Sequence, residues 1–207
     1  MRLFHLDPLR AFGLLGLAIV LSIPFESSSQ TAPTPPLAMT DTRKQPGPEL
    51  SEIIFNHVRE GQVEPVQLYL ESGYTPNAVN ARGDSLLILA AYKGHADLVK
   101  LLLSQPGVQV DFQNKMGFTA LTGASFRGDT GIMQQLLDAG AKVNHRNASG
   151  QTALMFAALT GRFSAVKLLL KHRADARAHD TAGNTAALLA EQQGASEVAD
   201  LLKPVRP

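Results

Sequence analysis

Ser85 stands in Gly83-Asp84-Ser85-Leu86, the one short segment of this chain whose residue types suggest a nucleophile. A serine hydroxyl becomes one only with a base in hydrogen-bond reach and donors for the oxyanion that forms. The histidines His57, His95, His145, His172 and His179 show no metal-ligand spacing, and no cysteine assists them. Asn147-Ala148-Ser149 satisfies a glycosylation sequon, which would matter only in a eukaryotic secretory pathway. The chain has no Gly-rich phosphate loop and no basic amphipathic helix. Its net charge of +1 argues neither for nucleic acid nor for an acidic partner.

The elements around these residues follow a strict period. Gly94, Gly128, Gly161 and Gly194 recur at spacings of 34, 33 and 33, and Gly83, Gly117, Gly150 and Gly183 keep the same spacing upstream of them. Self-similarity near 33 residues predicts a stacked solenoid. Such an array exposes an extended surface with few pockets, which favours binding over catalysis. Ser85, Thr119, Thr152 and Thr185 fall two residues after the first glycines, where a hydroxyl accepts N–H bonds at a helix start. Apolar residues and small Ala pairs follow, and the second glycine suits a left-handed helix stop. A second amphipathic helix closes each unit, as in Leu98-Val99-Lys100-Leu101-Leu102-Leu103 and Ala165-Val166-Lys167-Leu168-Leu169-Leu170. Ser85 thus has a sufficient role as a helix-start residue.

A turn and two antiparallel helices in about 33 residues resembles the ankyrin repeat. The resemblance covers residues 50–207 and implies an all-α repeat solenoid of five units: 50–82, 83–116, 117–149, 150–182 and 183–207, with degenerate first and last copies as caps. His95 follows Gly94 as the family pattern has it. The Pro of the family's Thr-Pro-Leu-His start is Leu86, Ala120, Ala153 or Ala186 here, and its His is Ile88, Thr122, Met155 or Leu188. These departures remove a side-chain hydrogen bond between turn and helix. Ser85 also sits in a segment similar to the start of Gly-Asp-Ser-Leu hydrolases, but that family's later Gly-x-Asn-Asp and Asp-x-x-His blocks are missing. No catalytic residue, cofactor or metal is expected.

At the front, Arg2 and Arg10 precede an apolar run over 11–23, and Ser27 and Ser29 occupy small-residue positions. This is the three-part pattern of a signal peptide, expected at 1–29. The run is shorter than the roughly 20 residues that span a bilayer, so membrane contact is expected only if the segment stays uncleaved. Residues 26–49 are rich in Ser, Thr, Pro and Gln, and 30–49 are expected to form a flexible linker. The absence of cysteine is compatible with an oxidising compartment. Export follows as an expectation. The resemblance to periplasmic ankyrin proteins points to the bacterial periplasm, with inner-membrane anchoring or secretion as alternatives.

The ankyrin resemblance implies a concave surface made by turn tips and the first helices. It brings together Arg82, Tyr92, Lys93, Lys115, Met116, Phe118, Phe126, Arg127, Arg146 and Leu159. Apolar anchors ringed by cations have the composition of interface hot spots; the alternative is that Phe118 or Phe126 folds inward to fill space beside Gly123 and Met116 packs on the neighbouring turn. The expected function is non-enzymatic capture of a partner protein on this face. The alternatives are a membrane-tethered scaffold, a stabiliser of an exported enzyme and, less favoured, a Gly-Asp-Ser-Leu type hydrolase at Ser85.

Overall fold

The structure, a computed structural model, describes residues 43–203. The expected signal peptide, residues 30–42 of the expected linker, and Pro204 and Pro207 lie outside the described residues. Ten helices among the described residues form five pairs. They are α1 (Pro48–Glu60) with α2 (Val63–Glu71), α3 (Leu86–Lys93) with α4 (Ala96–Leu103), α5 (Ala120–Arg127) with α6 (Thr130–Asp138), α7 (Ala153–Leu159) with α8 (Phe163–Lys171), and α9 (Ala186–Gln192) with α10 (Ser196–Leu202). Isolated bridges join Lys44 to Tyr74, Val79 to Ser85 and His179 to Thr185. No described helix is long and apolar enough to cross a membrane.

Local chemistry sets the start of four inner helices. The side chains of Ser85, Thr119, Thr152 and Thr185 accept the backbone N–H of Ile88, Thr122, Met155 and Leu188. In the third unit, Thr122 also places its hydroxyl 3.2 Å from that of Thr119, which restores a side-chain bond at the position where the family histidine is missing. Gly94 and Gly128 end α3 and α5 in the left-handed region, at φ 85 and 81°.

Helices of seven to nine residues are unstable in isolation, so packing has to hold them. The odd-numbered helices stack as an inner row, α1 on α3, α3 on α5, α5 on α7 and α7 on α9. The even-numbered helices form an outer row in the same order. Each outer helix buries one stripe, such as Leu98, Val99 and Leu102 of α4 or Ala165, Val166 and Leu169 of α8. These stripes join one continuous core with the inner helices. Each buried large aliphatic side chain contributes roughly 1.5–3 kcal/mol.

The first unit starts earlier than expected. Pro48 occupies the first turn of α1, where its fixed φ suits a helix and its missing N–H costs nothing. Lys44 N donates to Gly73 O at 3.0 Å, and Thr75 N donates to Lys44 O at 3.0 Å. Residues 44 and 48–49, expected in the linker, therefore take part in the fold. The apparent polarity of the segment hid two structural uses of proline and backbone.

Candidate functional site

The turn tips are built on a repeated side-chain bond. Asn80 Oδ1 accepts the N–H of Arg82 and of Asp84, at 2.9 and 3.0 Å. Asn114 does the same for Met116 and Phe118, Asn147 for Ser149 and Gln151, and Asp180 for Ala182 and Asn184. These four residues hold each tip rigid, since an Asn or Asp carbonyl oxygen substitutes for a backbone acceptor in a turn. They recur at 34, 33 and 33 residues, a signal that was present in the sequence beside the glycines.

Several of the expected partner-binding cations turn out to link one unit to the next. Lys115 Nζ donates to Ala81 O at 2.8 Å. Arg146 Nη2 donates to His179 O. The guanidinium of Arg127 lies over Gly94, where a Cβ would come within 2.7 Å of Nη2. All three remain exposed. Arg82 is exposed as well and pairs through Nε with Asp84 Oδ2 at 3.2 Å. Lys93 is half-buried at the end of α3.

The apolar members divide. Met116, 42% exposed, stands at a turn tip in the register of Arg82 one unit earlier. Tyr92 and Leu159 are half-buried at equivalent positions of α3 and α7. Phe118 and Phe126 were expected as exposed anchors, but each keeps only 7% of its surface, and this corrects the expectation. Phe118 meets Phe156 edge-on, with centroids 5.2 Å apart and planes at 83°. Phe126 tilts against Tyr92 at 6.3 Å. For Phe126 the reason is close helix approach: Gly123 of α5 faces the backbone of Tyr92, where a Cβ would lie 3.4 Å from Tyr92 Cα. A missing side chain draws α5 onto α3, and the neighbouring aromatic ring is covered. Edge-on and tilted ring pairs of this kind add to the area they bury.

The residues considered for chemistry also have structural partners. Ser85 is 2% exposed and its Oγ takes the Ile88 N–H at 3.2 Å. His95 Nε2 lies 3.0 Å from Arg59 O and His145 Nε2 lies 3.0 Å from Gly117 O, each joining adjacent units. Among the described residues no three His, Asp or Glu gather in a group able to hold a metal ion.

Comparison with known proteins agrees with the architecture. A family model described as ankyrin repeats matches residues 54–147 and again 122–205. An ankyrin repeat protein of Pseudomonas aeruginosa is 41% identical over 70 residues, covering 30% of this chain and 39% of that protein. An ankyrin repeat and KH domain-containing protein of Caenorhabditis briggsae is 39% identical over 79 residues, covering 37% of this chain and 3% of that protein. The matched region is thus a minor part of both relatives. With the paired helices, the stacked core and more than half of its length matched, the chain belongs to the ankyrin repeat family.

Proposed function

We propose that this ankyrin array is a non-enzymatic scaffold in an exported compartment, the bacterial periplasm, and that it captures a partner protein on its turn tips and inner-helix ends. Ankyrin repeats generally mediate protein–protein interaction and are typically non-enzymatic. The observation that carries the reading for this chain is Met116. It is a large apolar side chain held out at a rigid tip, in register with the exposed Arg82 of the adjacent tip. An exposed apolar residue beside a cation suits the centre and rim of a protein interface. A preformed array loses little ordering entropy on binding. Tyr92, Lys93 and Leu159 extend this surface, while the exposed arms of Lys115, Arg127 and Arg146 border it.

The test is photo-crosslinking in the native host from positions 82 and 116, followed by identification of what is captured. Met116→Ser with Arg82→Glu is expected to abolish recovery of the captured protein while leaving helix content unchanged. Undiminished recovery would sink the assignment of this face. Export rests on the N-terminal pattern, and N-terminal sequencing of the mature protein, expected to begin after Ser29, tests it together with fractionation. An intact Met1 in a membrane fraction would replace the free scaffold with a tethered one.

A further inference from the structure

Two outer helices, the first and the fourth of the five in the array, carry exposed rows of opposite charge. On α2, Glu64, Leu68 and Glu71 follow one another at spacings of four and three, so they share one face. Leu68 is 63% exposed and both glutamates are exposed. On α8, Phe163, Lys167 and Lys171 repeat at four and four; Phe163 is 37% exposed and both lysines are exposed. Lys167 Nζ lies 5.7 Å from the centre of the Phe163 ring, and neither lysine has an ion pair among the described residues. Glu64 has none either, and Glu71 accepts only the amide of Gln67. Each row is an apolar contact beside two charges, and the two rows are complementary in sign.

They cannot neutralise each other within one chain. The outer row runs α2, α4, α6, α8, α10, and at the 8–10 Å spacing of packed helices α2 and α8, three steps apart, stand about 25–30 Å from each other. That is several times the roughly 8 Å over which charges act at physiological salt. We propose that two copies of this chain pair antiparallel through their outer helices, the acidic α2 row of each meeting the basic α8 row of the other. The two-fold arrangement makes the contact twice and closes the assembly at two. It also sets α4 against α6, where the exposed Lys100 of one copy meets the exposed Asp138 of the other. An anionic membrane or an acidic peptide would use the basic row and leave Leu68 between its glutamates unexplained. A second copy accounts for both rows.

Sedimentation equilibrium of the full chain, at low and high salt, tests the pairing. A mass of two chains is expected at low salt, with dissociation as salt rises. The double variant Lys167→Glu with Lys171→Glu, and separately Glu64→Lys with Glu71→Lys, should each weaken self-association by about tenfold or more, since four exposed ion pairs become repulsions. Mixing the two variants should restore a one-to-one complex, because each then offers the charge the other lacks. Circular dichroism checks that both stay folded. A wild-type monomer at every concentration, a dimer indifferent to both variants, growth beyond two chains, or a monomer that binds anionic vesicles through its lysines would each overturn the proposal.

Discussion

Asn114 donates from Nδ2 to Oδ1 of Asp84 at 2.7 Å, and this bond ties the turn of one repeat to the turn of the next. Asp84, 9% exposed, also receives Asn80 Nδ2 at 3.3 Å and Arg82 Nε at 3.2 Å. Asn114 at the same time holds its own turn through its carbonyl oxygen. One amide side chain therefore serves two units, which is how local turn geometry is converted into rigid spacing between tips.

Replacing either partner should uncouple the second and third units. Asp84→Ala leaves the Asn114 amide without its acceptor and is expected to cost about 1–3 kcal/mol. Asn114→Ala should cost more, since it also releases the Met116 and Phe118 N–H groups. In urea unfolding, the double variant should lose less than the sum of the singles, by roughly 0.5–3 kcal/mol. Strict additivity would show that the bond carries no coupling.

Arg173 holds φ 63 after α8, while Gly73 and Gly140 hold φ 83 and 88 after α2 and α6. A non-glycine residue in that region costs roughly 1–2 kcal/mol. Arg173→Gly should therefore stabilise the chain by about 0.5–1 kcal/mol, after the greater freedom of glycine in the unfolded state is deducted. The midpoint of thermal unfolding should rise, by about 1–4 °C for an array of this size. A fall would show that the arginine side chain supports the array.

The opposite sign is expected at Gly94. Alanine there meets both the cost of φ 85 and the guanidinium of Arg127 lying on it. Gly140→Ala meets only the first, because nothing lies within 4 Å of a Cβ at that position. Gly94→Ala should lose more stability than Gly140→Ala, and the excess should shrink when Arg127 is also replaced by alanine. Denaturant midpoints of the four proteins decide it.

Ser85→Ala should cost about 0.5–2 kcal/mol through loss of the bond to Ile88 N. Ser85→Thr should retain most of that, as the threonines in the equivalent positions do. An ester-hydrolysing activity that disappeared in Ser85→Ala but survived in variants of equal instability would restore the nucleophile.

Much of the scaffold was legible because its punctuation is local. A hydroxyl two residues after a glycine caps a helix whatever surrounds it, and Thr119, Thr152 and Thr185 behave as their spacing predicts. The Asn80, Asn114, Asn147 and Asp180 series was equally periodic, though it lies hidden among turn residues that vary on either side. The candidate face was less legible. Phe118 is covered partly by Phe156 of the following unit, and no property of residue 118 alone announces that. Pro48 read as linker because proline marks loops and helix starts alike.

The sequence by itself determined the unit, its register and the number of copies, since a 33-residue period needs only turns, caps and one apolar stripe per helix. Only the tertiary structure decided which tip residues remain available. Phe118, Phe126, Lys115, Arg127 and Arg146 all meet a neighbouring unit, and Met116 does not share that fate among the contacts described. The physical reason is that repeats are periodic in sequence while their contacts are made between copies. A side chain's exposure is set by the residue stacked on it some 33 positions away, as Phe126 is covered by Tyr92.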